Sequence, residues 1–355
     1  MITAIDFGYS TVKMLQLSNG SSGYSVHKSG VKRVTEDLKT FDPEKMSKAN
    51  WVAAIQDLAN ELGINPKKVK NLVTSISGNG VSVKQVSTME MSEDEMVNSL
   101  EFEARKHIPL DGSEPVIDFH LLGQDKTELD KTNVLLVATT KNVVMNHHDI
   151  IKDSGFKPNI FDTESVAIAN CFQHKHNFPD TGVDVIFNIG AMNTTILVWG
   201  QGQKFFTREL PIAGHHFTEA IKKAQGVDYE QAEAIKHEKG IDSLTTDNTS
   251  ENKGESEDKF SLSVEKQTIF NSLNDEIRKT LRYYMKSNSQ TRFNNFYLCG
   301  GSANLPGLKD FIAETLKIEL NMLDPFEDMA QGESVENPQA FVVAAGMAIR
   351  GAVAA

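Results

Sequence analysis

Two segments half a chain apart repeat one local pattern, and no other feature constrains the fold as strongly. A-I-D-F-G-Y-S-T-V-K-M-L starts at Ala4, and V-I-F-N-I-G-A-M-N-T-T-I-L starts at Val185. Each is an apolar strand that closes on a polar residue, an apolar residue and a glycine: Asp6-Phe7-Gly8 and Asn188-Ile189-Gly190. Each then turns through small and polar residues into a second apolar strand, Val12 to Leu17 and Thr195 to Trp199. Glycine in such a turn lets the backbone approach a phosphate closely, and successive N–H groups there form an anion nest. One copy alone reads as a tight hairpin turn. Two copies read as a pair of jaws for one polyphosphate, and they differ in having Asn188 where the first has Asp6.

Composition sets the frame around this pair. With 355 residues, 39% hydrophobic and 24% charged, the chain exceeds what one core usually supports, so two domains are expected. A net charge of −12 and the lack of a long Lys/Arg run argue against nucleic acid as the main partner. Residues 1–6 enter a strand with no basic leader, and no apolar run reaches the roughly 20 residues that span a bilayer, so a soluble cytoplasmic protein is expected. Cys171 and Cys299 are too few for a disulfide framework or a Cys-rich zinc site, and their apolar surroundings suit core residues. His147-His148, His174 with His176, and His215-His216 do not share helix faces in the way a metal site needs.

Between the hairpins the chain alternates strands and helices, an α/β pattern. Trp51, Ile55, Leu58 and Leu62 recur at helical spacing and stop at Gly63. A strand over 71–77 follows; Ser92 and Glu95 form a capping-box pair opening a helix with Met96, Leu100 and Ala104 that ends before Pro109. Strands are expected over 116–122 and 133–138, then a helix from about 142 to 154. Residues 78–132 read as an inserted α+β subdomain between parts of a first domain (1–77, 133–165 and 335–355), and 166–334 as a second domain. Residues 204–208 supply a further strand, 217–224 and 229–237 helices, and Asp228 with Gln231 a cap pair. Residues 242–259 hold one large apolar side chain, Leu244, so a disordered loop is predicted there. Ile269, Leu273, Ile277, Leu281 and Tyr284 mark a long amphipathic helix.

Three further segments complete a nucleotide-site pattern. F-Y-L-C-G-G-S-A-N-L-P-G-L at 296–308 is a strand that breaks at Gly300-Gly301 and is expected to restart as a helix near Leu305. F-D-T-E-S-V-A-I-A at 161–169 puts Glu164 just after a strand at a helix start, where a carboxylate orients water or satisfies the helix dipole. F-V-V-A-A-G-M-A-I-R-G-A at 341–352 is rich in small residues suited to close packing at a hinge.

With these five segments in order, the chain resembles the actin-like ATPase superfamily, which also includes heat-shock chaperones, sugar kinases and FtsA. M-S-E-D-E-M-V-N-S-L-E-F-E-A-R-K-H-I-P-L at 91–110 and T-R-E-L-P-I-A-G-H-H-F-T-E-A-I at 207–221, followed by Gln231-Ala232-Glu233 and Lys236, resemble segments of the PilM family of type IV pilus assembly proteins. Ala213 and Asn188 depart from that family's usual Gly and Asp.

The resemblance implies two duplicated ribonuclease-H-like domains with a nucleotide cleft between them. It implies ATP with Mg²⁺, the metal reached through water by Asp6 and Asn188. Gly8, Tyr9, Ser10, Thr11 and Lys13 would meet the phosphates from one side, and Gly190, Met192 and Asn193 from the other. Gly214, Glu233 and Lys236 would face ribose and adenine, Gly300, Gly301 and Ser302 the adenosine, and Glu164 is the candidate catalytic residue. The function implied is a cytoplasmic scaffold held at the inner membrane by the N-terminal peptide of a PilN-like partner, alongside other pilus proteins, with at most slow ATP hydrolysis. The alternative is a polymerising FtsA-like ATPase. The ending R-G-A-V-A-A lacks the basic amphipathic helix expected of that class, and a sugar kinase is a third, weaker reading.

Overall fold

The computed structural model describes residues 1–353 apart from 22, 40, 77–79, 109–110, 126–127, 245–267, 291 and 332–334. The chain opens with β1 (Ile2–Phe7), β2 (Thr11–Gly20) and β3 (Gly23–Arg33), then α1 (Lys48–Glu61) and β4 (Leu72–Ile76). Next come β5 (Ser82–Met89), α2 (Glu93–Ala104), β6 (Pro115–Gln124) and β7 (Lys131–Thr140). The chain continues through α3 (Lys141–Asp153), β8 (Ile160–Thr163) and α4 (Glu164–Lys175). The second half holds β9 (Asp184–Ile189), β10 (Thr194–Trp199), β11 (Phe206–Leu210), α5 (Gly214–Gln225), α6 (Tyr229–Lys239) and α7 (Ile269–Ser287). It ends with β12 (Phe296–Cys299), α8 (Leu308–Leu316), β13 (Leu320–Met322), β14 (Ala330–Gln331) and α9 (Val342–Val353).

The repeat seen in the sequence extends to whole sheets. The first sheet runs β14-β3-β2-β1-β4-β8 and the second β11-β10-β9-β12-β13. In each, three antiparallel strands (β3-β2-β1 and β11-β10-β9) are followed by two parallel additions. Apart from β14, the two sheets match strand for strand.

Strand periodicity decides where each hairpin ends. In β1, Ile5 and Phe7 join the core under α1 and α3, whereas Ile2 and Ala4 join a second core with α4 and α9. Asp6 therefore continues the face turned toward α4 and α9. In β9, Val185, Phe187 and Ile189 face the second lobe's own core while Ile186 enters the shared one, so Asn188 lies on the same shared side. The core between the sheets, which also contains buried Cys171 and Cys299, is thus capped by Asp6 from one sheet and Asn188 from the other.

The small residues of α9 permit the crossing that joins the lobes. A Cβ on Gly346 would collide with the backbone of Ala167 in α4, so only glycine allows the two helices this close. Arg350 of α9 donates to Asp162 Oδ1 at 2.7 Å, tying the helix to the end of β8.

Four expectations change. The strand expected over 133–138 within the first domain is β7, which instead forms the centre of a third sheet, β5-β7-β6. An apolar run marks a buried central strand without saying which sheet it centres. The chain also returns to the first sheet at β14, before residue 335. The helix expected near Leu305 begins at Leu308, after a stretch of turns and a left-handed Gly307. Of the loop expected over 242–259, Asp242 to Leu244 form the end of a 3-10 turn beginning at Gly240, and 245–259 lie outside the described residues.

Candidate functional site

The two hairpin turns close in the same way. Gly8 N–H donates to Thr11 O at 3.0 Å, and Gly190 N–H donates to Asn193 O at 3.0 Å. These amides are spent inside the turns, which leaves the tips, Tyr9 and Ser10 on one side and Ala191 and Met192 on the other, to face the space between. Trp51 of α1 donates its indole N–H to Gly8 O at 3.0 Å and fixes the first tip.

Between the tips lies a cleft of about 810 Å³. It gathers every residue singled out in the sequence: Asp6, Gly8, Tyr9, Ser10, Thr11, Lys13, Glu164, Asn188, Gly190, Met192, Asn193, Gly214, Glu233, Lys236, Gly300, Gly301 and Ser302. Sequence reasoning missed several others, among them Arg33, Phe41, His215, Tyr229 and Asn337. Most of these sit on loops or helix starts, where no periodicity marks a side chain as facing a cleft.

The floor of the cleft is a charge network. Asp6 accepts from Ser75 Oγ at 3.1 Å and pairs with Lys13 Nζ at 3.4 Å, its cross-strand neighbour in the β1/β2 register. Glu164 reaches the other hairpin, where its Oε1 accepts from Asn188 Nδ2 and from Thr195 Oγ1, both at 2.7 Å. Thr163 caps α4 by accepting from Val166 N–H, which sets the helix start that aims Glu164. Burial raises the Glu164 carboxyl above its ordinary range, and the two hydrogen bonds pull against that rise.

Asn188 is committed on both sides. Its Nδ2 goes to Glu164, and its Oδ1 lies 3.7 Å from the Cys299 thiol that donates to it. Its amide nitrogen orients Glu164, and its Oδ1, which has two lone pairs, keeps one beyond the thiol contact for a water.

Beside this network sits an acid that sequence reasoning overlooked. Glu209 pairs in register with Thr195, accepts from Asn193 Nδ2 at 3.4 Å, and shares a second cavity of about 250 Å³ with Glu164. Burial and then the nearby Glu164 charge push its carboxyl up to about 7. It lies just past the strand expected over 204–208, in β11 as it forms, and nothing in T-R-E-L marks it as facing another acid.

The far wall is knitted from backbone. Gly190 O accepts from Gly214 N–H at 3.1 Å and from Ser302 Oγ at 2.9 Å, and Ser302 N–H donates to Ile189 O at 3.0 Å. Gly300 has φ +98°, and a Cβ there would strike Ile189 O and Asn188 Oδ1. Lys236, 5% exposed, donates to Glu233 at 2.7 Å, to Thr218 Oγ1 at 2.9 Å and to Gly214 O at 3.2 Å. Burial alone would raise Glu233, but hydrogen bonds from His237, Lys236 and Thr218 with the Lys236 charge hold it down at about 2. Lys236 and Glu233 therefore brace α5 against α6 from the wall of the cleft.

The family profile of the type IV pilus assembly protein PilM matches residues 4–352. The chain belongs to the PilM family. A solved structure of a PilM-PilN type IV pilus biogenesis complex aligns with TM-score 0.79 at 23% identity, over 99% of this chain and 98% of that one. Ethanolamine utilization protein EutJ from Carboxydothermus hydrogenoformans aligns at TM-score 0.54 and 12% identity, over 98% and 89%. These likenesses show the fold, and the fold is the α/β actin-like one that the resemblance of the five segments implied. In this PilM-family chain, no described helix is long and apolar enough to cross a membrane.

Proposed function

We propose that the chain is a nucleotide-binding scaffold of type IV pilus assembly, which binds Mg-ATP in the cleft and hydrolyses it slowly if at all. The observation behind this reading is the pair of identically closed glycine turns, one from each sheet, facing one cleft. The donor set suits the ligand: an ammonium at Lys13, hydroxyls at Ser10 and Thr11, tip amides, and carboxylates at Asp6 and Glu164. Mg²⁺, a hard cation that keeps most of its water, would be held through water by Asp6 with Glu164 and would neutralise phosphate charge. Glu164 takes both protein hydrogen bonds on Oε1, and among the described residues Oε2 takes none, which leaves it to orient a water. Asn188 supplies a neutral amide where a second carboxylate would add charge, and this is the reason for expecting slow turnover. Gly214, Gly300, Gly301 and Ser302 form the wall proposed for the nucleoside.

The same proposal assigns a partner. The related PilM-PilN complex supports a PilN-like partner; the proposal adds that the captured part is the N-terminal peptide of an inner-membrane protein, which would hold the chain at the cytoplasmic face of the membrane. The subdomain of β5, α2, β6 and β7 is the proposed receptor. Helix α2 spends its apolar face, Met96, Leu100 and Ala104, on Val134, Leu136 and Ala138 of its own sheet. The helix therefore does not offer that face to a partner, and the sheet edges β5 and β6 are the parts suited to pairing with an extended peptide. Calorimetric titration with a synthetic PilN N-terminal peptide should show saturable binding. Lack of binding at high micromolar peptide would remove the partner assignment, and phosphate release at a rate typical of active ATPases would remove the slow-turnover assignment.

A further inference from the structure

The connection between β3 and α1 crosses from the first lobe to the second at the mouth of the cleft. Phe41 packs against the edge of the first-lobe core and places its ring 5.3 Å from Tyr229 and 6.1 Å from His215. Tyr229 opens α6 and His215 lies in the first turn of α5, both in the second lobe. The two are joined to each other: their rings stack at 5.6 Å with 29° between planes, and His215 Nδ1 bonds the Tyr229 hydroxyl at 3.0 Å. Tyr229 is only 4% exposed although it lines the cleft.

The same connection is fastened at both ends to the first hairpin tip. Val34 N–H donates to Ser10 O at 3.0 Å, and Trp51 Nε1 donates to Gly8 O at 3.0 Å. A shift of that tip therefore pulls on both ends of the segment that carries Phe41. The lobes also share the core around α4 and α9, and they meet at the Asn188–Glu164 and Phe205–Gln85 hydrogen bonds.

We propose that Phe41, Tyr229 and His215 form a latch across the mouth of the cleft, and that its release limits nucleotide entry and exit. The proposal rests on the nucleotide reading above. Opening the lobes separates Phe41 from both rings and exposes Tyr229, an aromatic contact worth more than its area alone. A latch slows association and dissociation together, whereas a residue that merely grips the ligand changes dissociation alone.

The test uses a fluorescent N-methylanthraniloyl-ATP with Mg²⁺, mixed by stopped flow with full-length protein and chased with unlabelled ATP. F41A and Y229A are each expected to raise both the association and the dissociation rate constant about tenfold, and the double variant to be no faster than either single one. Because the two residues lie on different lobes, a folding defect in one variant leaves the other to report. Unchanged rates in a folded variant would overturn the latch, as would faster dissociation with unchanged association. Failure of the wild-type protein to bind the probe would instead overturn the nucleotide reading.

Discussion

Asn188 Nδ2 donates to Glu164 Oε1 across 2.7 Å, so the second hairpin holds the one carboxylate that the connecting helix brings to the cleft. Replacing Asn188 by Asp removes the donor and sets a like charge against a buried acid. N188D should lose about 1–3 kcal/mol of stability in metal-free buffer. Added Mg²⁺ should return more stability to this variant than to the wild type, since the ion compensates the new charge. Urea unfolding of both proteins with and without Mg²⁺ checks this, and equal midpoints in all four curves would contradict it.

Adjacent glycines should respond very differently. Gly300 sits at φ +98° with a Cβ barred by Ile189 O and Asn188 Oδ1, whereas a Cβ on Gly301 meets nothing within 4 Å. G300A should cost about 2–4 kcal/mol through strain and displaced backbone, and G301A should stay within about 0.5 kcal/mol of the wild type. Thermal melts of the two variants side by side distinguish them.

Glu209 makes stability depend on pH. Its carboxyl lies at about 7 in the folded chain against an ordinary value of 4.5, so folding favours the protonated form. Below 4.5 the group costs nothing; as pH rises from 4.5 to about 7 it increasingly opposes folding, and above that the penalty is constant. Each pH unit in that window costs at most about 1.4 kcal/mol, and partial solvent access reduces it. E209Q and the wild type should therefore have equal urea midpoints near the acid end of the window, with E209Q more stable by about 1–2 kcal/mol near pH 8. Parallel curves across the range would show that Glu209 titrates normally.

Lys236 is a brace whose loss leaves a buried acid behind. K236M should destabilise the protein by about 3–5 kcal/mol, because Glu233 keeps its burial and loses its charged partner. Adding E233Q should recover much of that loss, since the second change removes the stranded charge. The double variant unfolding as early as K236M would show that the lysine acts through packing alone.

The paired hairpins were legible because each is a local pattern: an apolar strand, a polar end residue and a glycine turn. Helix ends were legible for the same reason, as with the reciprocal Ser92–Glu95 cap and Gly63 just beyond α1. What escaped depends on tertiary context. The apolar run of β7 predicts burial, yet only pairing with β5 and β6 assigns it to the third sheet. Glu209 looks like a solvated strand residue until Glu164 arrives from α4. Phe41 lies in an aperiodic connection, and its partners are about half the chain away. Lys236 and Glu233 line the cleft and stand at the i,i+3 spacing that fits their direct ion pair, but their bonds to Gly214 and Thr218 of α5 were not readable from spacing.

The most direct test is whether Mg-ATP stabilises the folded chain. Protein stripped of carried-over nucleotide would be melted with Mg²⁺ alone and with Mg²⁺ plus ATP at increasing concentration, beside a D6A variant. The expected result is saturable stabilisation of the wild type, about 2.7 kcal/mol at a hundredfold excess over Kd and a shift of a few degrees, much weakened in D6A. Identical wild-type melts at all ATP concentrations would contradict a nucleotide site between the paired hairpins.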